Sequence, residues 1–284
     1  MVLESLINPL KAEKKPWELF FFGVLYSTIA IFLSLWIFEK HASLIVVFLT
    51  VMACIPLVYN TIKSEEKKDL VLDKEKTLLK EHSKVLYFLM LLFLGITVSI
   101  ALWYIFLPTG TTHSNLFSIQ QQTIAGINTD ATTSAIQQVQ LFTKIFFNNM
   151  KVLTFCLLFA FIYGVGAIFI ITWNASVIGV AIGNVIRSNL GQISGSVGLA
   201  KLGSYFNITS YGLLRYFIHG IPEIAAYFIG GLAGGIISIA IIRHDFRTRK
   251  FEHIILDSTD LIIISVLFLL IAALIEVYIT PVLF

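Results

Sequence analysis

The sequence predicts an all-α, polytopic transmembrane helix bundle, with about six full spans plus one broken or re-entrant segment. Three observations lead to that class. Hydrophobic residues fill 57% of the 284 positions and charged residues only 13%, against about 25% charged in an ordinary soluble domain. Mean hydropathy is +0.86. The apolar residues also gather into runs of about 20, the length that crosses a bilayer. A surface so poor in charge excludes a soluble enzyme and a disordered chain. The net charge of +3, from 20 basic and 17 acidic residues, leaves no basic stripe for nucleic acid. The composition allows six or seven crossings, and residues 1–284 read as a single transmembrane domain. Cys54 and Cys156 both lie in apolar runs and imply no disulfide framework.

The first run, Leu19 to Phe38, holds 20 uncharged residues between Glu18 and Glu39. It is too long for a signal-peptide core, and no small-x-small site follows it, so a retained span is expected. A polar turn at residues 39–43 leads to a second span, Leu44–Ile62, with Pro56 inside it. Membrane helices tolerate such a proline with a kink. Residues 63–84 then carry seven lysines and six acids, some at helical spacing, as in Asp73/Lys76 and Glu81/Lys84. This stretch reads as a charged cytoplasmic arm, either a solvated helical hairpin or an extension of the next span. A docking surface is the functional alternative. The third span is Val85–Leu107, closed by Trp103 and Tyr104, residue types that mark the headgroup level.

No Lys or Arg occurs from Val85 to Thr143, and Asp130 is the single acid of a stretch rich in Thr, Gln, Ser and Asn. Lysines stay on the cytoplasmic side. The N-terminus, with Lys11, Lys14 and Lys15, and the 63–84 arm are therefore expected inside, and 108–147 is expected to be an external polar loop with helical content. Ile136, Val139, Leu141, Phe142 and Ile145–Phe147 suggest a helix along the outer membrane face.

The fourth span is expected over Val152–Trp173. Residues 175–221 mix short apolar patches with Gly, Ser, Asn and Gln. They are expected to recross as two short pieces with a broken middle, which is tolerated only where protein or a water cavity covers the backbone. The fifth span, Pro222–Ile242, ends at a basic cluster containing Arg243, Arg247, Arg249 and Lys250. A last span, Leu261–Thr280, carries Glu276 and leaves the C-terminus external. Small residues recur at four-residue spacing in Ala226, Gly230, Gly234 and Ser238, in Ala175, Gly179 and Gly183, and in Ala160 and Gly164. Such faces let helices approach closely in lipid. They fit packing within one subunit or a homodimer seam.

The polar cluster most worth weighing is Arg215, His219, Gly220, Pro222 and Glu223. Proline in the first turn of a helix and an acid beside it suit a helix start. Ionisable residues at membrane depth are also functional candidates, so His219 and Glu223 are candidates for a proton relay or a metal. Two ligands are too few for zinc, and the HExxH, GxSxG and GxxxxGK[ST] patterns are missing. No catalytic residue, cofactor or metal is expected.

The chain resembles the stage II sporulation protein M family. The resemblance rests on Asn148-Asn149-Met150-Lys151, on Gly164 and Gly166, on Trp173-Asn174, on Gly179, and above all on His219-Gly220-Ile221-Pro222-Glu223 followed by Gly231 and Gly234. It is good over roughly residues 145–240; elsewhere it extends to topology alone. It implies a multi-pass protein of bacteria or archaea without known catalytic activity. In spore formers the namesake anchors cell-wall hydrolases that remodel the septal wall. For this chain it implies a membrane scaffold, oligomeric, with partners among membrane lipids, other membrane or envelope proteins and a second copy of itself, and with no nucleic acid. A transporter or channel component is the alternative, favoured by the expected broken crossing.

Overall fold

The computed structural model describes residues 15–69, 75–127, 135–190, 199–242 and 248–283. Among the described residues there are helices and no strands. Trp17–Phe38 forms α1, Ala42–Asp69 α2, Glu75–Phe106 α3 and Thr111–Ile127 α4. They are followed by α5, Ala135–Tyr163, α6, Ala167–Leu190, α7, Leu199–Ile242, and α8, Arg249–Leu274. The last runs on through one π-helical turn, Ile275–Ile279, into Thr280–Leu283.

Six stretches are long and apolar enough to cross a membrane. The first, Trp17–Lys68, is two helices: Phe38 leaves helical geometry at φ −130°, ψ 41°, before the 3-10 turn Glu39–His41. Tyr26 and Cys54, each some 14 residues from that turn, lie within electrostatic reach of one another, so α1 and α2 are antiparallel. Among the described residues the bundle therefore has seven helices of membrane-crossing length, with α4 as a shorter helix at one end. Close contacts fix the directions. Gly23 and Gly95 bring the backbones of α1 and α3 together, Gly179 and Gly183 set α6 against Thr97, Ile100 and Tyr104 of α3, and Gly234 sets α7 against Leu157 and Ala160 of α5. These three pairs are parallel. One end of the bundle thus collects the start of α1, the α2–α3 connection and the start of α8. It is called the charged end below, and the opposite end, with α4, the polar end.

The small-residue faces are used inside the chain. A Cβ on Gly234 would lie 2.8 Å from the Leu157 carbonyl oxygen, one on Gly231 2.8 Å from the Ala167 Cβ, and one on Gly235 2.9 Å from the Gly164 carbonyl oxygen. Without a hydrophobic drive between helices in lipid, this close backbone approach is what associates them.

Four features differ from the sequence expectation. The expected fourth span, Val152–Trp173, contains a turn. Gly164 adopts φ +69°, the left-handed region open to glycine, and α5 gives way to α6 within three residues. The turn is walled by Val58, Ile62, Leu89 and Phe228, so it needs no polar residues, and nothing in the sequence pattern marks it. Trp173 and Asn174 consequently sit inside α6, where Asn174 Nδ2 donates to the Ile170 carbonyl at 2.9 Å.

Residues 175–190 and 199–221 are not two short pieces of one crossing. Ala175–Leu190 completes the unbroken α6, and residues 199–221 begin α7, a 44-residue helix of about 66 Å. Residues 191–198 lie outside the described part. Pro222 is inside α7, not at its start, so its ring costs the Ile218 carbonyl an intrahelical donor.

The amphipathic stretch expected along the outer face, residues 136–147, belongs to α5; the helix of the 108–147 loop is α4. Finally, the 63–84 stretch extends α2 and α3, the second of the two readings left open for it. It is not wholly solvated: Glu65 and Glu66 are fully buried and His82 is 2% exposed.

Candidate functional site

Of the motif residues, Asn149, Glu223 and Gly234 lie along the α5–α7–α8 seam. On α5, Asn149, Leu153, Cys156 and Ala160 recur at four- and three-residue spacing, and all four are buried. That spacing places them on one helical face. Leu153 packs on Gly230 and Ala160 on Gly234. Above them on α7 is Tyr227, fully buried, whose hydroxyl donates to Glu223 Oε1 at 2.8 Å. Glu276, in the π-helical turn, lies within electrostatic reach of both Glu223 and Tyr227, and Cys156 within reach of Tyr227. Glu276 had been seen in the sequence only as a lone acid in the last span. It sits in the π turn, and such turns often occur at functional positions.

This geometry changes the expected role of Glu223. It lies within a helix, so it does not cap free first-turn N–H groups. No basic group pairs with it among the described residues, and Lys151 is exposed on α5. The side chain of Arg215 lies outside the described part. His219 is half-buried one turn before Glu223, and Gly220 is buried. Asn148 is exposed. Gly179 lies against α3, away from this seam. No group of three His, Cys, Asp or Glu is placed to hold a metal among the described residues.

A Glu223→Ala change strands a buried tyrosine hydroxyl, which costs about 1–3 kcal/mol. Glu223→Gln retains a carbonyl acceptor and should cost markedly less. Because Lys151 points away, Glu223→Ala and Lys151→Ala should be additive in thermal unfolding of the detergent-solubilised protein. A coupling energy larger than about 0.5 kcal/mol would contradict the arrangement.

Two further clusters escaped the sequence reading. At the charged end, Glu65 Oε2 contacts His82 Nδ1 at 2.8 Å, Glu65 Oε1 contacts Lys68 Nζ at 2.8 Å, and Lys68 reaches Glu81 Oε2 at 3.4 Å. His253 and Asp257 of α8 pair at 2.7 Å beside them, and Asp257 feels His82. At the polar end, Ser43 donates to Gln120 Oε1 at 2.7 Å, and Gln120 Nε2 reaches back to the Ser43 carbonyl at 3.0 Å and to Ser176 at 3.4 Å. Gln121 donates to the Tyr104 hydroxyl at 2.9 Å, which donates to Asn184 at 3.1 Å. Arg187 Nη1 donates to the carbonyls of Tyr104 and Leu107 at 2.8 and 2.9 Å. It thereby closes the C-terminus of α3, where a cation suits the helix dipole.

The model of the family described as stage II sporulation protein M matches residues 85–281, more than half of the chain. The chain belongs to the stage II sporulation protein M family. No curated protein matches it significantly, and neither does any solved structure. The family segment of this sporulation protein M member begins inside α3 and takes in the Glu223 seam and, Ser43 excepted, the polar-end cluster. The α1–α2 hairpin, and with it Glu65 and His82, lies ahead of the match.

Proposed function

We propose that the protein is a multi-pass membrane scaffold that assembles partner proteins of the cell envelope, in keeping with the envelope and sporulation association of its family. The observation that carries this reading is how the interior polar groups are used. Arg187 closes a helix end, Gln120 ties α2, α4 and α6, Tyr227 holds Glu223, and Glu65 joins α2 to α3. Three of these contacts fasten helices to one another, and the fourth, Tyr227 to Glu223, is made within α7. The broken crossing that favoured a transporter is replaced by the unbroken α6. Meanwhile α5 and α8 present broad apolar outer faces, including Phe147, Phe155, Ile162, Leu256, Ile263 and Leu267, which suit lipid, a partner helix or a second copy of the chain. Co-purification from native membranes in mild detergent tests the proposal. A stable stoichiometric protein partner supports it; solute flux through the purified protein in liposomes overturns it in favour of transport.

The lysine distribution supports a cytoplasmic charged end and an external polar end, with the C-terminus external. Single cysteines at Ser64 and Ser114, in a chain lacking Cys54 and Cys156, should then label differently in intact cells. Ser114 should react with an impermeant reagent and Ser64 should not. The reverse pattern inverts the orientation.

A further inference from the structure

We propose that Arg187, His113 and the first turn of α4 form a binding site for a phosphate-type oxyanion at the polar end of the bundle. The proposal does not depend on the scaffold reading.

Four observations converge on it. First, among the described residues Arg187 donates from Nη1 alone, to the Tyr104 and Leu107 carbonyls. It has no carboxylate partner among the described residues, so Nε and Nη2 of a fixed guanidinium fork are left to an outside acceptor. A planar fork of this kind matches the paired oxygens of a phosphate. Second, His113 meets the same backbone group: its ring bonds the backbone of Tyr104. That ring is wedged between the rings of Tyr104 and Phe117, at 4.6 and 5.1 Å. It is 7% exposed, and its Nε2 is buried without a hydrogen-bond partner. A buried imidazole nitrogen left unpaired in this way has a cost that a ligand removes.

Third, α4 starts beside it. Ser114 N donates to the Gly110 carbonyl, and no acid stands in the first turn. The preceding amides have no intrahelical acceptor, and the positive end of the dipole lies there. Fourth, between Glu81 and Glu223 the sequence holds one acid, Asp130, against Lys84, Lys144, Lys151, Arg187, Lys201 and Arg215. No acid pairs with Arg187 among the described residues.

Burial in the first place, and the Arg187 charge in the second, hold the His113 imidazole below its ordinary value, which favours the neutral ring. The Glu39–His41 turn that packs against α4 is exposed throughout, and Arg187 is the charge that acts on the ring. An anion seated on Arg187 offsets the second of these causes and favours a protonated Nε2 that donates to it. Binding therefore takes up a proton and strengthens as pH falls.

The test uses the full chain in detergent, with inorganic phosphate replacing chloride at constant ionic strength and the midpoint of thermal unfolding as readout. A parallel arm compares nanodiscs with and without anionic phospholipid, in the absence of free phosphate. Wild type should be stabilised by phosphate, by anionic lipid or by both, and more so at pH 6 than at pH 8. Stabilisation in the first arm identifies a free oxyanion as sufficient; stabilisation in the second arm alone assigns the site to a lipid headgroup. His113→Phe keeps the ring packing and should flatten the pH dependence. Arg187→Lys keeps the charge without the fork and should weaken the response several-fold, and it remains informative if Arg187→Gln fails to fold through loss of the α3 cap. A response in both arms that His113→Phe and Arg187→Lys leave unchanged overturns the proposal, as does a flat wild-type response in both.

Discussion

Gly95→Leu should lower thermal stability by more than any other single change at a glycine in α1 or α3. A Cβ there would overlap the Phe20 carbonyl oxygen, and the reciprocal Gly23 faces the Leu92 carbonyl oxygen. The colliding atoms are backbone on both sides, so no rotamer change relieves them. The helices must separate, and the lost contacts reach Thr28–Ser99 and the Phe32–Trp103 ring pair one and two turns away. Overpacking costs about 1–3 kcal/mol where side chains can adjust; here the loss should exceed about 3 kcal/mol. Gly110→Leu provides the control, since nothing lies within 4 Å of its Cβ position. Unfolding of both variants in the same detergent decides the matter. Equal midpoints for Gly95→Leu and wild type would mean that α1 and α3 are not in contact as described.

Glu65→Ala should be nearly as damaging. Glu65 is fully buried, contacts His82 at Oε2 and forms an ion pair with Lys68 at Oε1. Removing one partner of a buried ionic cluster leaves the others uncompensated, at about 3–5 kcal/mol. Glu65→Gln should lose less, because an oxygen still faces His82. Pairing Glu65→Leu with His82→Phe should recover a large part of the loss, since apolar groups filling the same space strand nothing. A double variant whose loss equals the sum of the single losses would show that the two side chains do not act on each other.

The contrast between what could and could not be read in the sequence follows from where water stops. The spans at α1, α2, α3 and α8 were legible because charges flank them: Glu18 and Glu39, Lys63, Lys84, and Asp260. The turn at Gly164 was not, because its walls are protein and a turn shielded in that way needs no polar residue. The small-residue faces were visible as patterns, and their partners became known only when Gly231 was seen against Ala167 and Gly235 against Gly164. The Glu223 seam was half legible. His219-Gly220-Ile221-Pro222-Glu223 stood out, but Pro222 suggested a helix start where α7 runs through. The real partners, Tyr227 one turn on and Glu276 some 50 residues away, carry no local signal. The Glu65–His82 cluster was hidden for the opposite reason: a dense charge run reads as solvated, and burial of one of its faces depends on α8 packing across it.

The three-residue link at Gly164 also constrains how the chain is made. Between Tyr163 and Ala167 it offers Gly-Val-Gly, with nothing hydrophilic to remain in water while synthesis continues. The insertion machinery therefore has no point at which α5 is a finished segment, and α5 and α6 must enter the bilayer as one hairpin. Their bend then stays open on one side until Gly235 arrives to close over the Gly164 carbonyl, some 70 residues later in translation. The α5–α6 bend is thus among the last parts to be completed, and a ribosome stalled before α7 would leave an α5–α6 hairpin with its small-residue face bare to lipid or to the membrane's quality-control proteases.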